Sequence, residues 1–124
     1  MYLFSHYNRW AKIKKLLPSL KEKRRYIVFE VISDKIKSFN FNDINREIKN
    51  KILAFLGESS YSKAGVIILN DWKKNKGIIK ANNKYVDMIR ASLMLIKNIS
   101  NEQVIVKTKG VSGLLNKAKL KYFT

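Results

Sequence analysis

Apolar residues along this chain fall into a small number of blocks with distinct periods. Residues 25–32, "RYIVFEVI", form an almost unbroken β-branched and aromatic run. It is too short for a free-standing helix and predicts a largely buried strand. After "SDKIKSFN" comes "NDINREIKNKILAFLG", where Ile44, Ile48, Ile52 and Phe55 keep the helical period and Leu56 widens the stripe. Asn42 or Asp43 is placed to cap this helix, and Gly57 suits a left-handed position past its end. Two further β-branched runs, 64–72 ("AGVIILNDW") and 77–82 ("GIIKAN"), are joined by "KKNK" and predict a hairpin. Asn82 or Asn83 then caps "KYVDMIRASLMLIKN", with Val86, Ile89, Leu93 and Ile96 on one helical face and Met88, Leu95 and Ile99 beside it. Residues 102–109, "EQVIVKTK", predict a last strand with Val104 and Val106 inward and Ile105, Lys107 and Lys109 on the opposite face.

The predicted order is β-α-β-β-α-β, an α+β sandwich of the ferredoxin-like type also used by RNA-recognition-motif domains. It implies a four-stranded antiparallel sheet with both helices on one face and the other face open. Tyr26, Val28, Ile78 and Ile105 would leave that face partly apolar, which marks it as a protein-partner surface. Leu3, Tyr7, Trp10, Ile13 or Lys14, and Leu17 keep a helical spacing that runs through an N-terminal extension, residues 1–16, to the start of the domain. Pro18, the only proline, marks where that extension meets a single domain over 17–124 that includes a basic C-terminal helix over 112–122.

Charge changes the picture more than any motif does. The 124 residues carry 26 Lys and Arg against 9 Asp and Glu, a formal charge of +17. Such one-signed density repels itself in the compact state, and a polyanionic partner is the economical explanation. Cysteine is absent and His6 is the only histidine, so thiol chemistry, a zinc cage and a His-based triad are excluded. The acids are scattered. Glu22, Glu47 and Glu102 stand near Lys or Arg and read as surface pairs, and Glu30 with Asp34 is a weak candidate for a metal pair. No catalytic or metal-ligating constellation emerges. No apolar stretch approaches the roughly 20 residues of a bilayer span, and the start does not read as a secretory signal, so a cytoplasmic location is expected.

The basic residues form four groups. Lys21, Lys23, Arg24 and Arg25 precede the first strand; Lys73, Lys74 and Lys76 surround the hairpin tip; Lys107 and Lys109 lie on the last strand; Lys117, Lys119 and Lys121 follow it. Base stacking across the sheet, as RNA-recognition motifs practise it, is not expected, because Ile78, Lys80 and Asn82 stand where the third strand would need aromatics. The stretch "KTKGVSGLLNKAKLK" (107–121) admits two readings. Gly110 permits a sharp exit from the strand, Ser112 is a competent N-cap, and N–H groups near Gly113 could hold a phosphate oxygen. Alternatively, Leu114, Leu115, Ala118 and Tyr122 pack as scaffold and the lysines are a solvated face.

Four stretches, "LPSLKEKRRYIVFEVIS" (17–33), "KAGVIIL" (63–69), "NNKYVDMIRASLMLI" (82–96) and "VIVKTKGVSGLLNKAK" (104–119), resemble the archaeal ribonuclease P protein component 2 family. That family is related to a small subunit shared by eukaryotic ribonucleases P and MRP. The resemblance spans about residues 17–120. It implies a protein subunit that supports a catalytic RNA in removing 5′ leaders from precursor tRNA, with magnesium required by the RNA and no cofactor bound by the protein. It further implies protein component 3 as a partner, bound at the open sheet face or the exposed side of the helices and able to assemble with it as a heterotetramer, alongside other ribonuclease P proteins. Residues 107–121 shift toward RNA contact on this resemblance. The alternative is a free-standing binder of structured RNA, of ribosomal or chaperone type.

Overall fold

A computed structural model describes residues 23–34 and 39–123. The chain runs β1 (Arg24–Ser33), α1 (Phe41–Ala64), β2 (Ile67–Ile68), β3 (Lys76–Asn82), α2 (Val86–Met94), β4 (Asn98–Ile99), β5 (Glu102–Ser112) and α3 (Leu115–Ala118). A 3₁₀ turn, Asn83–Tyr85, leads into α2, and α3 runs on as a π-helical turn over Lys119–Phe123. The strands form one antiparallel sheet in the order β2-β3-β1-β5-β4. Without the short β4 this is the expected ferredoxin-like order, with β1 and β3 central and both long helices on one face. The N-terminal extension lies outside the described residues, as do Lys21 and Glu22.

Strand alternation sorts the sheet into two faces. Ile27, Phe29 and Val31 of β1, Ile79 and Ala81 of β3, and Val104 and Val106 of β5 face the helices and join one core. Into it α1 inserts Ile44, Ile48, Ile52 and Leu56, and α2 inserts Val86, Ile89 and Leu93. Phe55, expected on the buried stripe, is 45 % exposed, because the stripe steps by four residues to Leu56. The cap of α1 is Asn40, whose side chain accepts from the Asn42 N–H at 2.9 Å; neither Asn42 nor Asp43 is the cap. Asp43 instead pairs with Arg46 at 3.1 Å.

Gly57 does not end α1. Its φ of 82° and ψ of 162° kink the chain, and helix resumes to Ala64, where Gly65 (φ 58°, ψ 46°) supplies the left-handed stop. The extra turns consume the start of the run 64–72, so only Ile67–Ile68 pair as a strand. The hairpin tip is a two-residue turn. Lys73 and Lys76 exchange N–H···O bonds of 3.1 and 2.9 Å, while Lys74 and Asn75 both take positive φ. That is the type I′ geometry matched to strand twist. A second such turn, Ser100–Asn101, joins β4 to β5. Its Ser100 N–H donates to Glu47 Oε2 at 2.8 Å, so Glu47 ties α1 to the turn, and among the described residues it has no Lys or Arg within ion-pair distance.

The opposite sheet face differs most from expectation. Gly110 is no exit: β5 continues to Ser112, with Val28 opposite Gly110 and Tyr26 opposite Ser112. Past Ser112 the chain folds back over the sheet. Ala118 packs on Val28 and Ile78 with no exposure at any of the three, flanked by Tyr26, Leu69, Leu115, Tyr122 and Phe123. The Tyr122 ring lies so close to Gly110 that it occupies the space a Cβ there would need. Val28 and Ile78 are therefore unavailable to a partner, and Tyr26 is half-covered. Of the face expected to be open, Ile105 (67 % exposed) and its cross-strand neighbour Ile32 (43 %) remain uncovered.

Candidate RNA-binding surface

The basic groups that are separate in sequence become two clusters, one toward each end of β1. At the β1 start, Arg24 and Arg25 pair with Asn82 and Ala81 of β3, and Tyr26 lies opposite Ser112 at the end of β5. Lys23 is exposed and its carbonyl accepts from the Asn83 N–H at 2.8 Å. Arg24 crosses to the C-terminal end of α1 and donates to the Gly65 carbonyl at 3.4 Å, where a cation also complements the helix dipole. Arg25 donates to the Arg24 carbonyl at 3.0 Å and lies against Gly113, where an added Cβ would stand 3.4 Å from its Nη1. The arginines thus hold structure together, and Lys23 projects beyond them.

Ser112 and Gly113 are not the helix start that the sequence suggests. The α-helix begins at Leu115 after an extended Leu114 and has no side-chain cap. Ser112 instead closes a turn with Leu114, accepting from its N–H at 3.2 Å and donating to its carbonyl at 3.1 Å. A helical segment this short offers little dipole to an anion, so the lysines themselves must carry any phosphate contact. Lys117 and Lys121 are exposed and have no carboxylate within ion-pair distance among the described residues. Lys121 Nζ stands 5.4 Å from the Tyr122 ring centroid. Lys119 differs: it pairs with Asp71 at 3.2 Å and fastens the tail to the segment between β2 and β3.

The second cluster gathers around Glu30. The Asn75 carbonyl accepts from the Val31 N–H at 2.8 Å, which brings the hairpin tip alongside β1. Lys76 and Lys109 approach Glu30 at 4.0 and 3.6 Å. Lys109 does so because the β1–β5 register slips between Val28 and Phe29, leaving it as a bulge between Thr108 and Gly110. Glu30 therefore belongs to a three-residue ion cluster, not to a metal pair with Asp34. Lys73, Lys74 and Lys107 surround this cluster, exposed and without carboxylate partners among the described residues.

Two features escape the sequence reading. Lys80, opposite both Tyr26 and Ile67, adds a half-buried cation to the tail-covered face; its place in a β-branched strand is the signal that could have found it. The other is a hollow of about 420 Å³ between β5 and the tail, lined by Val111, Ser112, Lys117, Leu120, Lys121 and Tyr122. No spacing in one dimension announces it, because its walls come from two elements.

Known proteins share both the sequence and the fold. Ribonuclease P protein component 2 of Pyrococcus horikoshii is 33 % identical over 117 residues, covering 90 % of this chain and 92 % of its own length. That of Pyrococcus furiosus is 36 % identical over 112 residues, with 90 % and 92 % covered. Among solved structures, a chain of yeast ribonuclease MRP superposes with a TM-score of 0.62 at 11 % identity, covering 75 % of this chain and 76 % of that one, which shows a shared fold. The profile of the Rpp14/Pop5 family matches residues 25–123, from the first strand through the tail that closes the sheet, and the chain belongs to that family.

Proposed function

We propose that this protein is a subunit of ribonuclease P that supports a catalytic RNA in the magnesium-dependent removal of 5′ leaders from precursor tRNA. The similarity, over 90 % of this chain, to proteins named ribonuclease P protein component 2 supports the assignment. The observation that carries the mechanism is the segregation of the cations. Lys23, Lys117 and Lys121 at one end, and Lys73, Lys74 and Lys107 at the other, have no carboxylate partners among the described residues. The two ends are spaced along one strand.

Fixed cations at such spacing neutralise phosphates and release their counterions on binding. Binding that is tighter to the folded catalytic RNA than to its expanded forms lowers the magnesium needed to reach the active state. In this reading hydrolysis belongs to the RNA and its magnesium, and the protein contributes charge and shape. Ile32 and Ile105 are the uncovered apolar part of the sheet face and the proposed seat of a second protein subunit, protein component 3, in a pair or heterotetramer. The proposed setting is cytoplasmic.

The test is single-turnover cleavage of a precursor tRNA by the cognate catalytic RNA at low magnesium, with component 3 alone and with component 3 plus this protein. A large rate gain only with both is the expected outcome. No gain despite tight RNA binding would make the protein a free-standing binder of structured RNA.

A further inference from the structure

We propose that the hollow between the end of β5 and the tail receives a single unstacked nucleotide of the partner RNA. Its phosphate would lie at Lys117 and Lys121, and its base against Leu120 and Tyr122. The inference rests on the RNA-binding reading above and goes beyond it, since a charged surface alone asks only for a backbone.

Four observations converge. The hollow's volume of about 420 Å³ lies in the range of small-molecule sites, roughly 300–1,000 Å³. Its two lysines lie four residues apart and have no carboxylate partners among the described residues, so they are available to a phosphate. Between them Leu120 is 76 % exposed, an apolar surface that the flat face of a base would cover. Tyr122 is already immobilised against Gly110, so using its ring costs little side-chain entropy.

Ser112 supplies a polar contact as well. A hydroxyl has one donor and two acceptor sites. Its turn with Leu114 uses the donor and one acceptor, leaving a lone pair for an amino or hydroxyl group of the nucleotide.

The experiment is an NMR titration of the ¹⁵N-labelled full chain with adenosine 5′-monophosphate and uridine 5′-monophosphate, beside adenosine and inorganic phosphate as single-part controls. The monophosphates should give saturable shifts at Val111, Ser112, Lys117, Leu120, Lys121 and Tyr122. Each control should bind about tenfold more weakly, as expected when one charged hydrogen bond or one stacked base is missing. A Lys117→Ala/Lys121→Ala protein and a separate Leu120→Asp protein should each weaken the response by about as much. All three side chains are exposed, so the dispersed spectrum should persist. Inorganic phosphate saturating at the same concentration as the monophosphates would reduce the hollow to an anion site and overturn the proposal. So would the absence of saturable shifts at these residues. If binding to catalytic RNA then kept its steep salt dependence, the RNA-binding reading would survive without the pocket; if both were absent, both would fall.

Discussion

Gly110 shows how much one side chain, or its absence, decides in this protein. Its position in β5 opposite Val28 would accept many residues by strand geometry alone, but the Tyr122 ring occupies the space of a Cβ. Gly110→Val should displace Tyr122 and loosen the tail, despite the better strand propensity of valine. Overpacking of this kind costs about 1–3 kcal/mol. Urea unfolding should report that destabilisation, and chymotrypsin should cut near Tyr122 sooner than in the parent. A variant with parental stability and a protected tail would show that the ring is not held there. Residue chemistry is often legible in the sequence while its address is not. Asn82 caps the turn before α2 as expected, accepting from the Lys84 N–H at 3.0 Å. Asn40 caps α1 by the same chemistry two residues ahead of the expected Asn42, because several short polar side chains stand in a row and only the chain's entry angle selects among them.

At the scale of elements, periodicity locates both long helices and the three main strands, and fails where one element takes residues from another. A glycine followed by "ESSYSKA" reads as a stop, yet α1 resumes after Gly57 because Ala64 and Tyr61 find places at the core. Burial also raises the Tyr61 hydroxyl above its ordinary pKa, so it stays protonated through the neutral range. The short β4 and its turn are held from across the sandwich by Glu47, whose carboxylate takes the Ser100 N–H. Glu47→Ala should leave that donor without its charged acceptor and cost about 1–3 kcal/mol, read by chemical denaturation. A change within a few tenths of a kcal/mol would mean that water replaces the carboxylate at no cost.

For the whole molecule, the excess of positive charge becomes an arrangement. Lys76, Lys109 and Lys119 are engaged with Glu30 and Asp71, while Lys107, Lys117 and Lys121 lack such partners among the described residues. Replacing the latter three together by alanine should weaken binding to the catalytic RNA. It should also flatten the dependence of log affinity on log salt by roughly 0.7–0.9 for every phosphate that is no longer neutralised. The same three changes should leave thermal stability nearly intact, since these side chains are exposed. An unchanged salt slope would move the RNA interface to another part of the surface.

The sequence by itself determined the fold class and the kind of partner. Alternating and helical periods place apolar atoms on definite faces, and a charge of +17 calls for an anion whatever the fold. Tertiary structure alone decided which sheet face is free. The tail's Leu115, Ala118 and Tyr122 show one apolar side in the sequence, but only the β1–β3 and β1–β5 registers together bring Ile78, Val28 and Gly110 side by side beneath them. It also decided which lysines are neutralised at home, since Lys109 reaches Glu30 through a bulge, and Lys119 reaches Asp71 across the fold. Local spacing carries information over one or two turns of chain. The choice among covered and uncovered faces depends on contacts between residues far apart in sequence, which form only once the sheet is assembled.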